Sequence, residues 1–360
     1  MPEPLRVLMF PAQGNASENR YLDVLVDGLR ALDVEVRPWK KAVPSGPADV
    51  FHVHWPEVLG HIHARRGQGL RGWWAAQLLW WTIRRVKRGG GKLVWTAHDI
   101  TPHEQRLRDD PFTSRLLARF LNEVDAVISL TEAGIAPVKA ALPMLRDKPF
   151  HLGRHPHYRT VYPPQPFDTA GLARYGAAEG QFVYAFLGRM RANKSPEILA
   201  EAFRGLEQDG NFLILAGGAT DDMREQLEAI LADNPNSLRR YDRIPEDEMA
   251  RLHACSDVLV FPGTDYFNSG TIYTALSLNV PVIAVRSPVN SEIQALVGEE
   301  WLFLYDGPLS TDILRRARTV VARRREGATC DLSAFAPDLA ARQHLAAYRD
   351  GLANARRTPA

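Results

Sequence analysis

The chain has 360 residues, 45% of them hydrophobic and 24% charged, which favours two domains of a soluble globular protein. No stretch of 18 apolar residues occurs, so we expect no helix that spans a membrane. A net charge of +2 without a nucleic-acid-binding signature argues against DNA or RNA as a partner, and two cysteines without metal-ligand or disulfide spacing indicate a reducing compartment.

Short apolar segments alternate with helical patterns along the chain, which predicts βαβ units and parallel sheets. The predicted strands of the first half are Leu5–Phe10, Val34–Arg37, Val50–His54, Lys92–Ala97 and Ala126–Leu130. Those of the second half are Phe182–Leu187, Phe212–Ala216, Leu238–Ile244, Val258–Phe261, Val280–Val285 and Trp301–Leu304. Each set suffices for a doubly wound sheet, so we predict an α/β fold with two Rossmann-like domains.

A segment rich in Pro, His and Tyr, from Pro143 to Pro166, separates the two sets of strands and shows little helical periodicity. We predict an interdomain connection there. The N-terminal domain is therefore expected over residues 1–166 and the C-terminal domain over residues 167–335. A last helix is expected within residues 336–360, where it can pack back on the N-terminal domain.

The segment after the Phe182–Leu187 strand has the chemistry of an anion site. Gly188, Arg189 and Lys194 lie between this strand and the next helix. Arg189 can donate two parallel hydrogen bonds to a phosphate, and Lys194 supplies a mobile positive charge. The alternative is that these residues are only the loop and first turn of an ordinary βα unit.

A second anion site is predicted at the helix start that follows the Val258–Phe261 strand. Its residues are Asn268, Ser269, Gly270 and Thr271. Free backbone N–H groups and the positive end of the helix dipole converge at such a start, which favours a phosphate. Two phosphate-type sites in one α/β half indicate a diphosphate, and therefore a nucleotide sugar.

Several segments, spread in order over most of the chain, carry a resemblance to a known family. They are His54-Trp-Pro-Glu57, Thr96-Ala-His-Asp-Ile-Thr-Pro-His-Glu104, His157-Tyr-Arg159, Gly188-Arg189, Asn268-Ser-Gly-Thr271 and Trp301-Leu-Phe-Leu-Tyr-Asp-Gly307. The chain resembles a GT-B glycosyltransferase, and more narrowly the xanthan-pathway β-1,4-mannosyltransferases of glycosyltransferase family 94. This resemblance implies two domains that face a cleft, GDP-mannose as donor and a polyprenyl-diphosphate-linked oligosaccharide as acceptor, in exopolysaccharide or glycolipid synthesis.

One departure from the wider GT-B pattern concerns the stereochemistry of transfer. Many retaining GT-B enzymes carry two glutamates eight positions apart, the second of which holds the ribose. This chain has Thr274 at the second position and Tyr266 at the first, with Asp265 one residue away. The pattern weakens a retaining mechanism and agrees with the inverting transfer that the family resemblance implies.

An inverting transfer needs a general base near the acceptor hydroxyl, and in this architecture the base comes from the N-terminal domain. The candidate carboxylates are Glu57, Glu104 and Asp99. They follow two predicted strands at the carboxyl ends, where α/β folds place ligands. The alternative for each is a structural role such as a helix cap.

Other polar residues near these segments are candidates for binding the substrate. They are His54, His98, His103, Asn19, His157 and Tyr158. Three of the histidines suggest a metal, but their spacing fits no helical ligand pair, so we expect neither a metal nor another cofactor. The alternative is that a histidine at a strand end only satisfies a loop carbonyl.

The segment Gly69–Arg88 predicts a helix with an unusual tryptophan pattern. Trp73 and Trp80 recur seven residues apart, as do Trp74 and Trp81, and basic residues follow them. Tryptophan beside cations is typical of a bilayer interface. Because the N-terminus lacks a signal peptide, we expect a cytoplasmic protein that binds peripherally to the inner face of the plasma membrane. The alternative is a sheet-covering helix whose aromatic side chains lie in the core.

Two further functions remain compatible with the sequence. A sugar-nucleotide epimerase would use the same fold and diphosphate site without an acceptor surface, and a non-catalytic carbohydrate-binding protein would use the fold alone. Release of nucleoside diphosphate only in the presence of an acceptor separates a transferase from an epimerase.

Overall fold

The computed structural model describes residues 3–12, 20–40, 46–64, 68–100, 105–206, 210–263, 267–323 and 327–356. The chain divides into two compact units. The first comprises Met1–Pro156 and Phe335–Ala360, and the second comprises His157–Ala334. The first boundary therefore lies between Pro156 and His157. The sequence pattern places it later in the chain, at residue 166.

Residues 157–166 belong to the second unit, and specific hydrogen bonds explain why. The N–H of Tyr158 donates to Ser277 Oγ at 2.8 Å, and the guanidinium of Arg159 donates to Asn279 Oδ1 at 2.7 Å. These bonds connect the start of the second unit to residues more than one hundred positions later.

The first unit contains a six-stranded parallel sheet. Its strands are β1 (Arg6–Phe10), β2 (Glu35–Pro38), β3 (Val50–Val53), β4 (Lys92–Ala97), β5 (Ala126–Ser129) and β6 (Phe150–Leu152). Their order is β2-β1-β3-β4-β5-β6. The order reverses between β1 and β3, and ligands of open α/β sheets bind outside the carboxyl ends of the strands at such a switch point.

The edge strand β6 lies inside the segment that the sequence assigns to an interdomain connection. It pairs in parallel with β5, with Phe150 opposite Val127 and Leu152 opposite Ser129. All three of its residues are only half-buried. A strand this short and this exposed gives too weak a periodic signal to be recognised in the sequence.

The second unit contains the other six-stranded parallel sheet. Its strands are β7 (Phe182–Leu187), β8 (Asn211–Ala216), β9 (Ser237–Arg240), β10 (Val258–Phe261), β11 (Val282–Val285) and β12 (Leu302–Tyr305). Their order is β12-β11-β10-β7-β8-β9, so the switch point lies between β7 and β10. The predicted α/β fold with two doubly wound parallel sheets is confirmed.

Helices flank both sheets. Those before the second unit are α1 (Tyr21–Arg30), α2 (Val58–Ala64), α3 (Gly69–Arg88), α4 (Gln105–Arg108), α5 (Pro111–Glu123) and α6 (Ile135–Ala141). Those of the second unit are α7 (Thr169–Arg174), α8 (Pro196–Arg204), α9 (Asp221–Ile230), α10 (Glu246–Ala254), α11 (Gly270–Ser277), α12 (Pro288–Val297) and α13 (Thr311–Val321), and the last helix is α14 (Pro337–Arg356). No helix within the described ranges is long and apolar enough to cross a bilayer.

Helix α14 returns to the first unit and packs against α1. A Cβ atom at Gly28 of α1 would lie 2.9 Å from the Cβ of Ala341 in α14, so the two helices approach closely there. At the sheet, a Cβ atom at Gly153 would lie 2.8 Å from the ring of His344. Small residues therefore let α14 reach the histidines described below.

Helix α3 buries one of its tryptophans and exposes the other three. Trp80 is 6% exposed, and the guanidinium of Arg119 lies over its ring at 4.1 Å. Trp73, Trp74 and Trp81 are 45%, 66% and 41% exposed. The alternative of core aromatic residues therefore holds for Trp80 and not for its three neighbours.

Candidate active site

In the second unit, the switch point brings two sequence-predicted segments to one edge of the sheet. Gly188 and Arg189 follow β7, and the chain after β10 leads to the start of α11 at Gly270. Because β7 and β10 are neighbouring parallel strands, their carboxyl ends lie side by side. The geometry therefore places the two predicted phosphate segments at the ligand edge of one sheet.

Two glycines fix the backbone after β7. Gly188 has φ +118°, a value that strongly favours glycine, and its N–H donates to the carbonyl of Ala216 at 2.9 Å. A Cβ atom at Gly217 would lie 1.9 Å from the carbonyl oxygen of Gly188. The turn that carries Arg189 is therefore held against the end of β8.

Three cations follow this turn within six residues: Arg189, Arg191 and Lys194. Lys194 ends the 3-10 helix Ala192–Lys194 and is half-buried. Burial, and after it the charges of Arg191 and Arg189, together lower the pKa of its amine to about 8. A bound anion would offset both effects, so the group is suited to a polyanionic ligand.

Arg191 was not among the predicted site residues. Its charge acts on Lys194 more strongly than that of Arg189 does. The signal in the sequence is the second arginine of Gly188-Arg-Met-Arg191, which local pattern alone does not separate from an ordinary surface charge.

No side chain among the described residues is seen to cap the start of α11. Ser269 is the N-cap residue with extended backbone, and its side chain makes no capping hydrogen bond. The Thr274 hydroxyl donates to the carbonyl of Gly270 at 3.0 Å, so it is occupied within the helix. Asn268 and Thr271 are half-buried beside this start. Backbone N–H groups at such a helix start are suited to binding phosphate.

Two residues predicted to bind substrate lie at the other end of α11. Tyr158 is 2% exposed and donates its N–H to Ser277, the last residue of the helix. His157 Nδ1 accepts the N–H of Arg159 at 3.3 Å. An eight-residue helix is about 12 Å long, so Tyr158 is not brought to the phosphate segments.

In the first unit, three of the predicted residues line one cavity at the carboxyl ends of β3 and β4. They are His54, Glu57 and Asp99. The cavity has a volume of about 30 Å³, room for a single water molecule or hydroxyl group. Glu104, His103 and Asn19 lie outside the described residues. The structure thus brings together a histidine and two of the candidate carboxylates.

Behind this cavity lies a buried histidine cluster. Its members are His52, His54, His98, His155 and His344. His54 Nδ1 and His98 Nε2 share a hydrogen bond of 3.0 Å, and His98 stacks on Trp55 with ring centres 4.3 Å apart. Among the described residues, no group of three His, Cys, Asp or Glu side chains could hold a metal ion.

Helix α14 joins this cluster through His52, which lies on β3. His52 Nδ1 hydrogen-bonds to the hydroxyl of Tyr348 at 2.7 Å, and its Nε2 hydrogen-bonds to Thr96 Oγ1 at 2.7 Å. His344 Nε2 lies 3.4 Å from the hydroxyl of Tyr21. His52 and His344 were not among the residues selected from the sequence. Each has a hydrogen-bond partner about 300 residues away, Tyr348 and Tyr21 respectively, and no local pattern predicts such a pair.

Burial lowers the pKa of every histidine in the cluster. The pKa of His155 falls to about 3 and that of His344 to about 4. Those of His52, His54 and His98 fall well below the ordinary value, first through burial and then through repulsion from neighbouring histidines. His54 is therefore neutral at pH 7, and its buried Nε2 has no hydrogen-bond partner among the described residues.

Neutral burial of these histidines predicts acid sensitivity. Below pH 6.5 the unfolded chain binds more protons than the folded chain, so stability present above pH 6.5 is lost as the pH falls towards the folded pKa. For His344 the loss extends from pH 6.5 down to its folded pKa of about 4. We expect a lower urea midpoint at pH 5 than at pH 7, and a flatter dependence in His344→Gln. An equally steep dependence in the folded variant would contradict neutral burial.

Comparison with known proteins bears on both units. Residues 171–302 match the family model described as Glycosyl transferases group 1. Two proteins of Xanthomonas campestris pv. campestris, each named GDP-mannose:glycolipid 4-beta-D-mannosyltransferase, are 29% identical to this chain over 332 residues. The alignments cover 91% of this chain and 87% of each relative.

Solved structures support the fold. Sucrose-phosphate synthase from Thermosynechococcus elongatus superposes with a TM-score of 0.62 at 14% identity, over 98% of this chain and 97% of that one. Anabaena HepE in complex with UDP and glucose gives a TM-score of 0.60 at 13% identity, with the same coverage. At such identities the similarity shows the fold alone, and the predicted GT-B fold is confirmed.

The names of the relatives favour a transferase over the epimerase and the carbohydrate-binding protein considered from the sequence. The predicted resemblance to GDP-mannose:glycolipid β-1,4-mannosyltransferases is likewise confirmed. The chain is therefore a glycosyltransferase with a GT-B fold, and the part of it that is similar to group 1 glycosyltransferases lies in the second unit.

Proposed function

We propose that the chain transfers mannose from GDP-mannose to a lipid-linked oligosaccharide, with inversion at the transferred sugar, in exopolysaccharide or glycolipid synthesis. The names of the two Xanthomonas relatives support the donor and the glycolipid acceptor. The observation that carries the proposal is the group Arg189, Arg191 and Lys194, in which burial and two arginines lower the pKa of a lysine. A nucleoside diphosphate supplies the negative charges that such a group lacks.

On the donor side, the bond between the sugar and the diphosphate breaks, and the nucleoside diphosphate leaves with the bonding electrons. Arg189 can hold two phosphate oxygens through parallel hydrogen bonds, and Lys194 can neutralise a third. The backbone N–H groups at the start of α11, around Ser269 and Gly270, can hold the other phosphate. The helix holds its N–H groups in place before the reaction, so they can stabilise the charge as it develops.

On the acceptor side, the attacking hydroxyl forms a bond to the sugar and gives up its proton. Glu57 and Asp99 line the cavity beside His54, and a carboxylate there can take that proton as general base. Glu104 is the third candidate for the general base. The neutral His54 can hold the same hydroxyl through Nε2, while His98 fixes its ring at Nδ1.

The choice of nucleotide is tested by thermal-shift measurements with GDP, UDP, ADP and dTDP. A ligand at one hundred times its dissociation constant adds ~2.7 kcal/mol of stability, so at equal concentration the diphosphate that binds most tightly raises the melting temperature most. We expect that diphosphate to be GDP. GDP-mannose consumption with acceptor present should then follow the same preference. A larger shift with another diphosphate would refute GDP-mannose as the donor while leaving sugar transfer in place.

We propose that the reaction needs no metal ion, because cationic side chains and helix N–H groups neutralise the diphosphate. The sequence near the phosphate segments contains no Asp-x-Asp pair of the kind that holds Mg²⁺ or Mn²⁺. We expect the transfer rate to stay within about twofold of its starting value after EDTA treatment. Complete loss with EDTA and recovery with Mn²⁺ would contradict this prediction.

We also propose that the chain works at the inner face of the plasma membrane, where a lipid-linked acceptor resides. The exposed Trp73, Trp74 and Trp81 of α3 support a peripheral contact, because tryptophan favours the bilayer interface. Leu70, at the start of the same helix, is 78% exposed and extends the apolar surface. Sedimentation of the protein with liposomes tests the contact.

A further inference from the structure

A second cavity of the first unit lies at the opposite end of the strands from His54 and Glu57. The cavity has a volume of about 780 Å³. Lys92 at the start of β4, Asp125 just before β5 and Lys148 just before β6 all line it. It is therefore formed at the amino ends of three parallel strands, away from the candidate active site.

Positive charge dominates this cavity. The cations are Lys87, Lys92, Lys139, Arg146 and Lys148, and two carboxylates, Asp125 and Asp147, accompany them. We call the cavity that these five side chains line the basic cavity. Glu123, which pairs with Lys87, is a third carboxylate beside them, so five cations against three carboxylates leave an excess of two positive charges. Such an excess favours an anion as ligand.

The protein itself neutralises only part of that charge. Lys87 Nζ lies 3.2 Å from Glu123 Oε2 and 3.4 Å from Asp125 Oδ1, so this lysine is paired. Lys92 and Arg146, in contrast, have neither a hydrogen bond nor an ion pair with their side chains within the described part of the chain. Two cations are therefore available for a ligand.

The chemistry of the ligand follows from helix α3, which ends at this cavity. Its exposed face carries Leu70 and the three exposed tryptophans, then exposed arginines, and Lys87 in its last turn lines the basic cavity. The helix contains no acidic residue. Apolar and aromatic anchors next to cations match the acyl and phosphate layers of an anionic membrane.

We infer that the basic cavity binds the phosphate-bearing headgroup of an anionic phospholipid while the tryptophans of α3 lie in the bilayer interface. The inference rests on the proposed membrane contact and adds to it a site with defined residues. The contact would orient the first unit on the membrane by two points, one apolar and one ionic. Free inorganic phosphate is the competing source of the same chemistry.

The test compares two pairs of substitutions in the full-length chain. Arg146→Gln with Lys148→Gln removes two charges from the basic cavity. Arg316→Gln with Arg323→Gln removes two exposed charges from the second unit as a matched control. Binding to vesicles of phosphatidylcholine with one third phosphatidylglycerol should weaken by about 25-fold in the cavity pair, or about fivefold per charge, and should change little in the control.

A soluble probe separates the headgroup from the membrane. Dihexanoyl-phosphatidylglycerol below its micelle concentration should bind the wild type in calorimetry at least tenfold more tightly than inorganic phosphate does, and the cavity pair should lose this binding. Equal binding of inorganic phosphate would overturn the lipid assignment. Wild-type vesicle binding by a folded cavity pair would overturn the site itself.

The triple variant Trp73→Ser, Trp74→Ser and Trp81→Ser separates the inference from the proposed membrane contact. If this variant loses vesicle binding but still binds the soluble lipid, the result supports both the membrane contact of the tryptophans and the headgroup site in the basic cavity. If it binds vesicles normally while the cavity pair does not, the ionic site stands and the tryptophan contact is wrong. Transfer to a water-soluble acceptor should be unchanged in both variants, which shows that the catalytic machinery is intact.

Discussion

We expect Glu57→Gln or Asp99→Asn to lower the turnover number by ~10²–10⁴, with donor binding and melting temperature unchanged. Both side chains line the cavity that contains His54, at the carboxyl ends of adjacent parallel strands. An amide keeps the size of the carboxylate but cannot take a proton, so only a general base shows this pattern. Glu104→Gln is the third variant, because that residue follows the same strand as Asp99.

The structural alternative for these carboxylates makes the opposite prediction. Loss of a helix cap costs ~1 kcal/mol of stability and leaves the folded enzyme active. Glu132→Gln, at an exposed position of the first unit, serves as the matched control and should have neither effect. If all three folded variants keep near-normal turnover, no carboxylate among Glu57, Asp99 and Glu104 is the base.

Arg189→Ala and Lys194→Ala should each weaken nucleoside-diphosphate binding by ~1.5–3 kcal/mol, or about 10- to 150-fold. Each removes a charge-assisted hydrogen bond, so binding of the nucleoside without phosphates should change far less. Arg204→Ala, at a position where the side chain is 60% exposed in the same unit, is the control. Calorimetry with wild-type affinity in both variants would refute the phosphate assignment.

Lys194 adds a dependence on pH to the same measurement. Its pKa of about 8 means that the amine is mostly charged at pH 7 and mostly neutral at pH 9. The anion binds the charged amine, so wild-type affinity should fall as the pH rises above 8, and Lys194→Ala should abolish that fall. The same pH dependence in both proteins would exclude Lys194 as a phosphate ligand.

The strands were predictable from sequence wherever burial on both faces leaves a continuous apolar run. All residues of β8 and β10 are buried, and the sequence placed both strands within one residue. Strand β6 was not predicted, because its three half-buried residues are too few to show an alternation of apolar and polar side chains. The boundary near residue 166 also differed, since the hydrogen bonds of Tyr158 and Arg159 to distant partners are invisible in a local pattern.

The tryptophans of α3 show a second limit. Trp73 and Trp80 are seven residues apart and lie on nearly the same side of the helix, yet one is 45% exposed and the other 6%. The helical period of the sequence gives the side of the helix on which a side chain lies. It does not give which other part of the protein buries that side chain. Here Arg119 of α5 reaches Trp80, as its guanidinium lies 4.1 Å from that ring.

The candidate site was predictable as far as its residues follow strand ends. His54, Glu57 and Asp99 could be chosen because the carboxyl ends of parallel strands meet at one edge. His52 and His344 could not, since their roles depend on α14 folding back to the first unit. Arg191 was missed because its effect on Lys194 is electrostatic and appears only once the turn after β7 is formed.

The anomeric configuration of the product tests the central claim most directly. The purified protein is incubated with GDP-mannose and a lipid-linked oligosaccharide, and the one-bond C1–H1 coupling of the new linkage is measured by NMR. An inverting mannosyltransferase yields the configuration opposite to that of the donor, together with one GDP per sugar transferred. A product that retains the configuration of the donor, or no transfer of mannose to any glycolipid acceptor, would contradict the proposal.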